Sequence, residues 1–276
     1  PVLEPSRVPF DSTALGGGTD YGTGGAGNLQ VFDGVSWVDA ASATIAAGTT
    51  SVQVRTPINN DLLDEVSETF TLTATRTAGT TTNASAAGTG SIVDNDGAPS
   101  ITINDVTRNE AAGTITFTVT LDAPSALAVS VDYTTVAGTA TGADYGAGVD
   151  GLSGTLTFGA GVTSQTITLA LVDDAVFENS ESFVLNLANA VNGVIGDGQG
   201  VGTIRDDGTG GGGSNDDTPA LSVSSPAVTE GTDSHAVFTV SLSNASTSDV
   251  SFNLALANGS ATAAAGADAC SSVASS

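Results

Sequence analysis

One spaced acidic element occurs twice in the chain, as Asp61-x3-Glu65-x2-Glu68-x-Phe70 and as Asp174-x3-Glu178-x2-Glu181-x-Phe183, every position displaced by 113 residues. A displacement this long exceeds any solenoid turn and marks repeated whole domains. In each copy the acids separate an apolar run from the next, so the element belongs to a loop between strands.

Further matches extend the repeat in both directions. GGTDYG at 17–22 parallels GADYG at 142–146, and TIAAGTTSVQV at 44–54 parallels TFGAGVTSQTI at 157–167. TPALSVSSPAVTEG at 218–231 parallels APSITINDVTRNEAAG at 98–113. These matches divide the chain into an unmatched end (1–15), a partial repeat (16–97), a complete repeat (98–207), a glycine-rich linker (208–217), a partial repeat (218–268) and an unmatched tail (269–276). Half a sandwich is expected at each end, too little to bury both sheet faces alone. The first junction, Asp94 to Pro99, is short and expected to be stiff. The second, Asp206 to Pro219, carries Gly-Thr-Gly-Gly-Gly-Gly-Ser-Asn and is expected to be a flexible hinge. The first repeat also holds an insertion, VFDGVSWVD, read as an added hairpin with Trp37 packed on its own strands.

Within 98–207 apolar residues alternate over Ile101–Ile103, Ile115 to Leu121, Val129 to Tyr133, Leu156 to Phe158, Ile167 to Leu171, Phe183 to Leu187 and Val201–Ile204, with Gly, Asp, Asn and Pro between. Seven short strands and no helix predict an all-β antiparallel sandwich, one face of each sheet buried.

The charge is lopsided. Thirty acidic residues face five arginines and no lysine, a formal net charge of −25. Such a surface repels phosphate, which excludes nucleic acid and anionic membranes as partners and leaves cations. Apolar residues make up 39% of the chain, enough for a folded core. A single cysteine, Cys270, makes no intrachain disulfide, so an extracellular chain needs another source of stability, and bound metal supplies one. No stretch predicts membrane insertion, and any export signal is expected outside this fragment.

Strand parity says where the acids go. Two strands separate Glu110 from Asp144, two more separate Asp144 from Asp173, and another two separate Glu178 from Asp206. An even number of antiparallel strands returns the chain to the same end. Glu110, Asp144, Asp173, Asp174, Glu178, Asp206 and Asp207 are therefore expected to cluster, with Glu181 nearby but its membership doubtful. Arg205 is either a counter-ion within the cluster or outside it. A lone acidic loop is explained by the turn preference of Asp. Acids converging from four separated segments repel one another and call for a cation. Many oxygen donors in flexible geometry suit Ca²⁺ better than Mg²⁺, and zinc would want His or Cys.

VDYTTVAGTATGADY (131–145), SGTLTFGAGVTSQTITLALVDDAVFENSESFVLNL (153–187) and GVGTIRDD (200–207) together resemble the Calx-beta domain, in particular the tandem repeats of very large bacterial surface and secreted adhesins. The resemblance implies tandem immunoglobulin-like sandwiches with calcium at one end, held at the seven positions named above. Asp20, Asp61, Glu65, Asp94 and Asp96 form a second set in the first repeat, expected to be weaker because Asn60 replaces Asp173. The third repeat keeps only Glu230 and Asp268, so no complete site is expected there.

Other motifs lead nowhere. GGAGNL at 24–29 has leucine where a β-roll calcium motif needs aspartate, and Asp94-x-Asp96-Gly97 lacks the remaining EF-hand ligands. His235 alternates outward while Ala236, Phe238, Val240 and Leu242 alternate inward. No enzyme is expected. The resulting reading is a calcium-stiffened spacer of an extracellular or cell-surface adhesin, whose partners are calcium ions and neighbouring repeats. A calcium-sensing regulatory module, and a glycan- or ligand-binding module or non-catalytic fragment of a secreted enzyme, stand as alternatives.

Overall fold

The structure is a computed structural model that describes residues 20–21, 29–211, 217–259 and 261. Its strands in the first repeat are β1 (Gln30–Phe32), β2 (Trp37–Asp39), β3 (Val54–Arg55), β4 (Glu68–Thr75) and β5 (Ser85–Ile92). The second repeat contains β6 (Ser100–Ile103), β7 (Val106–Asn109), β8 (Thr114–Leu121), β9 (Val129–Ala137) and β10 (Ser153–Phe158). It continues with β11 (Ser164–Ala170), β12 (Val176–Phe177), β13 (Glu181–Val191), β14 (Val194–Asp197) and β15 (Gln199–Arg205). The third repeat adds β16 (Leu221–Val223), β17 (Val240–Leu242) and β18 (Ala245–Ser246).

The second repeat is a sandwich of two sheets, ordered β10-β9-β13-β15-β7 and β11-β8-β6-β14. Alternation builds it directly. Along β8 the inward Ile115, Phe117, Val119 and Leu121 are buried while Thr114, Thr116, Thr118 and Thr120 point out. Outward threonines pair across strands, Thr102 with Thr120 at 2.9 Å and Thr116 with Thr168 at 3.0 Å. Between the sheets Phe117, Phe158, Phe183 and Tyr145 are fully buried with Ile101, Val129, Val131 and Leu185. Each such side chain contributes about 1.5–3 kcal/mol by leaving water.

Each of the seven sequence-read strands lies within or overlaps a strand of these two sheets, but the pairing is not purely antiparallel. The first strand breaks at Asn104–Asp105, and its two halves join different sheets: β6 pairs with β8, whereas β7 runs parallel to β15. The break is held by its own side chains. Asn104 accepts from the Thr118 amide at 2.6 Å and Asp105 from the Val201 amide at 2.8 Å, one residue per sheet. β14 adds a second parallel pair, to β6. These two edge strands are too short to alternate legibly. A 3₁₀ turn, Glu110–Ala112, is the sole helical element among the described residues, where none was expected.

The partial repeats are thinner. β4 and β5 form a two-stranded sheet, β16 and β17 another, and β1 pairs with β2 as the expected hairpin, Phe32 against Trp37 at 5.4 Å. Arg55 lies over the Trp37 ring at 4.3 Å. In the third repeat Phe238 is 52% exposed although its alternation points inward, because no second sheet faces it among the described residues. His235 is exposed, beside Ser234. Residues 1–15 and the tail with Cys270 lie outside the described residues, and no described helix is long and apolar enough to cross a membrane.

A glycine in β15 allows the central ring to lie flat. Gly202 pairs with Phe183, and a Cβ there would stand 2.6 Å from the Phe183 ring and 3.0 Å from Phe117. Gly202→Ala is expected to destabilise the second repeat by about 1–3 kcal/mol through overpacking, read as a lowered urea midpoint by far-UV circular dichroism. An unchanged midpoint would show that the core relaxes around the added methyl.

Candidate metal centre

Two sequence patterns deliver carboxylates to one end of the second repeat. In the first, Asp144 precedes Tyr145 and Glu181 stands two residues before Phe183. Tyr145 and Phe183 stack with ring centroids 4.0 Å apart and 16° from parallel, both fully buried. The stack brings Asp144 beside Glu181, and their carboxyls share a hydrogen bond. Asp144, Glu178 and Glu181 each offer an oxygen, all within 4.8 Å of one another. Burial, then the charges of Asp144 and Glu178, push Glu181 up to about 7.

The second pattern is Asn109-Glu110. The Asn109 side chain caps the 3₁₀ turn by accepting from the Ala111 amide at 3.0 Å, and Gly113 closes it at φ 70°. The turn drives Glu110 into the sandwich end, where only 4% of it is exposed and Oε1 has no hydrogen-bond partner. Glu110, Asp173 and Asp217 form a second group of oxygens within 4.8 Å. Burial, followed by the charge of Asp206, raises Glu110 to about 8 against the opposing pull of the Asp174 backbone.

Asp206 joins the two groups. It is 3% exposed, Oδ2 accepts from the Glu178 amide at 2.9 Å, and Oδ1 is buried without a partner. Asp174 accepts from the Val176 amide at 2.7 Å, and Asp144 from the Thr141 amide at 2.7 Å. Burial, then Asp144, Asp174 and Asp206, raises Glu178. Asp207 faces elsewhere: its exposed carboxylate accepts from the Thr209 side chain and amide, which hold it below the usual range. Arg205 donates to the same Thr209 at 2.9 Å and stands in neither group.

Glu181 thus stands in one of the groups and Asp217 in the other. The spacing to Phe183 signals Glu181. Nothing within the complete repeat points to Asp217, which is the last residue of the linker that follows it.

In the first repeat Asp20, Asp61, Glu65, Asp94 and Asp96 line one cleft together with Glu68. Its construction matches. Tyr21 stacks on Phe70 at 4.6 Å, a hydrogen bond with Asp20 and then its charge raise Glu68, and Asp94 accepts from the Glu65 amide at 3.0 Å as Asp206 does from Glu178. Asn60, in place of an acid, donates to the Asp61 carbonyl at 3.3 Å. In the third repeat Glu230 is exposed and belongs to no such group among the described residues, and Asp268 lies outside them.

Buried carboxylate oxygens without donors cost free energy, and like charges beside them cost more. A hard divalent cation with several oxygen ligands removes both costs, and calcium tolerates the irregular geometry that such loops supply. Zinc does not fit, because neither group contains His or Cys.

A family model described as the Calx-beta domain matches residues 94–207 and 214–270, more than half of the chain. The first repeat lies almost wholly outside those segments. A search of curated proteins returns no match. Among solved structures the chain is similar to an apo-form Calx CBD1 domain, with 28% identity over 40% of this chain and 97% of that one and a TM-score of 0.35. It is also similar to CBD12 from CALX1.2, with 29% identity over 39% of this chain, spanning 45% of that chain, at a TM-score of 0.36.

Protonation should substitute for the cation in metal-free protein. Glu110 rises from an ordinary 4.5 to about 8, so between these values the folded state holds a proton that the unfolded state has released. Stability then falls as pH rises through that window. Calorimetry of metal-stripped protein is expected to show the second repeat's transition temperature dropping between pH 5 and 8.5, with Glu110→Gln flattening the dependence. A pH-independent transition would show that Glu110 ionises without penalty.

Proposed function

Because the chain belongs to the Calx-beta domain family, we propose that the acidic end of its second repeat binds calcium and that the ion stiffens a head-to-tail array of sandwiches. The observation that carries this reading is the pair of unpartnered oxygens, Glu110 Oε1 and Asp206 Oδ1, on carboxylates almost wholly removed from water. Glu110 and Asp173 hold one side of the site, Asp144, Glu178 and Glu181 the other, with Asp206 and Asp174 between them. The acid-lined cleft of the first repeat binds calcium more weakly, since an amide stands at Asn60 where the second repeat has Asp173.

Calcium bound only by the folded form adds RT ln(1 + [Ca²⁺]/Kd), about 2.7 kcal/mol at a hundredfold excess over Kd. The chain has no disulfide to do the same work, its single cysteine being Cys270. Its strong negative charge and modular repetition suit an exported, surface-attached spacer, with calcium ions and adjoining repeats as partners. The stabilising role is therefore structural and not catalytic.

Calcium removal is expected to lower the transition of the second repeat by roughly 10–20 °C, from about 2.7 kcal/mol acting on a domain of this size. The same scan with and without chelator tests it, and coincident transitions would overturn the reading. A titration separates spacer from sensor: a Kd of about 10⁻⁴–10⁻³ M supports the spacer, and about 10⁻⁷–10⁻⁵ M with domain rearrangement supports the regulatory module.

A further inference from the structure

We infer that Asp217, the last residue of the glycine-rich linker, is a calcium ligand that the joint with the third repeat supplies to the site of the second, so that the centre spans the junction of the two repeats. This rests on the calcium reading above. Three sets of contacts converge on it.

The first is position. An Asp217 oxygen lies within 4.8 Å of oxygens of Glu110 and Asp173, and Asp217 also acts on Asp206 through its backbone and its carboxyl. The two buried oxygens without donors, Glu110 Oε1 and Asp206 Oδ1, belong to the residues that Asp217 approaches.

The second is anchorage. The Asp217 carbonyl accepts from the Asn244 side chain, so the residue is fixed to the turn of the third repeat that precedes β18. That turn docks on the second repeat. β18 runs parallel to β12, pairing Ala245 with Val176 and Ser246 with Phe177. The Thr247 amide donates to the Phe177 carbonyl at 2.9 Å, and the Asn179 side chain to Ser248 at 2.6 Å. β12 lies between Asp174 and Glu178, so the segment that receives the third repeat carries site residues on both sides.

The third is recurrence. Asp64 follows Asp61 by three residues, as Phe177 follows Asp174, and Asp64 makes the corresponding parallel bridge to Ser125 of the second repeat. The Ala126 amide donates to the Asp64 carbonyl at 2.9 Å, matching Thr247 on Phe177. Asp96, shortly before Pro99, lines the acid cleft of the first repeat, as Asp217, shortly before Pro219, meets the acids of the second. One joint thus recurs across two linkers of unequal length.

Isothermal titration of the metal-stripped chain with calcium chloride tests the assignment. Asp217→Asn keeps the size and the backbone contacts, and is expected to weaken calcium binding at the second repeat by about tenfold or more, or to remove one ion from the stoichiometry. Asp249→Asn, an exposed acid of the same repeat, removes equal charge and is expected to leave the titration unchanged. Wild-type affinity and stoichiometry in Asp217→Asn would overturn the cross-repeat ligand while leaving the calcium site standing. Equal weakening by both variants would overturn it in favour of a surface-charge effect. A wild-type chain that takes up no calcium would overturn the calcium reading itself.

Discussion

Packing drives carboxylates out of water and against one another at one end of the second repeat, and the rest of that domain is arranged around this conflict. Glu110 is carried inward by a capped 3₁₀ turn, and Asp206 by the end of β15. Neither can retreat without undoing the strand it terminates. The free energy of the apolar core therefore holds the acids in place, and the same burial pushes Glu110 up to about 8 and raises Asp206 from its ordinary value. A fold that holds acids this close together has the charge and the oxygen donors that the proposed divalent cation would need, without having to gather them on binding.

The stacked tyrosine and phenylalanine link core and site. Tyr145 on Phe183 belongs to the hydrophobic interior, yet each ring has an acid one or two residues before it, so packing the rings aligns Asp144 with Glu181. The first repeat shows the same arrangement with Tyr21 on Phe70 and Asp20 on Glu68. Opposite each phenylalanine stands a glycine, Gly202 or Gly90, where a side chain would strike the ring.

Much of this was legible because β-structure has simple arithmetic. Alternation marks Ile115, Phe117, Val119 and Leu121 as one face, and an even strand count returns Glu110, Asp144, Asp173 and Asp206 to one end. The same arithmetic is blind to β7 and β14, which are edge segments paired in parallel and too short to alternate. It also treats adjacent acids alike. Asp206 and Asp207 are indistinguishable as letters, but beyond the end of β15 Asp206 is buried while a local turn with Thr209 holds Asp207 at the surface.

The sequence alone determined the all-β sandwich, because apolar alternation at period two follows from pattern, and the spaced acidic element recurring at a domain-sized interval marked the acids on which the proposed cation rests. Only the tertiary structure decided which oxygens lose their donors, since burial depends on the depth to which a turn such as Glu110–Ala112 is pulled. It alone also decided that Asp217 reaches Glu110 and Asp173, because the β12–β18 joint that places it links residues of different repeats, and no spacing within one repeat encodes such a contact.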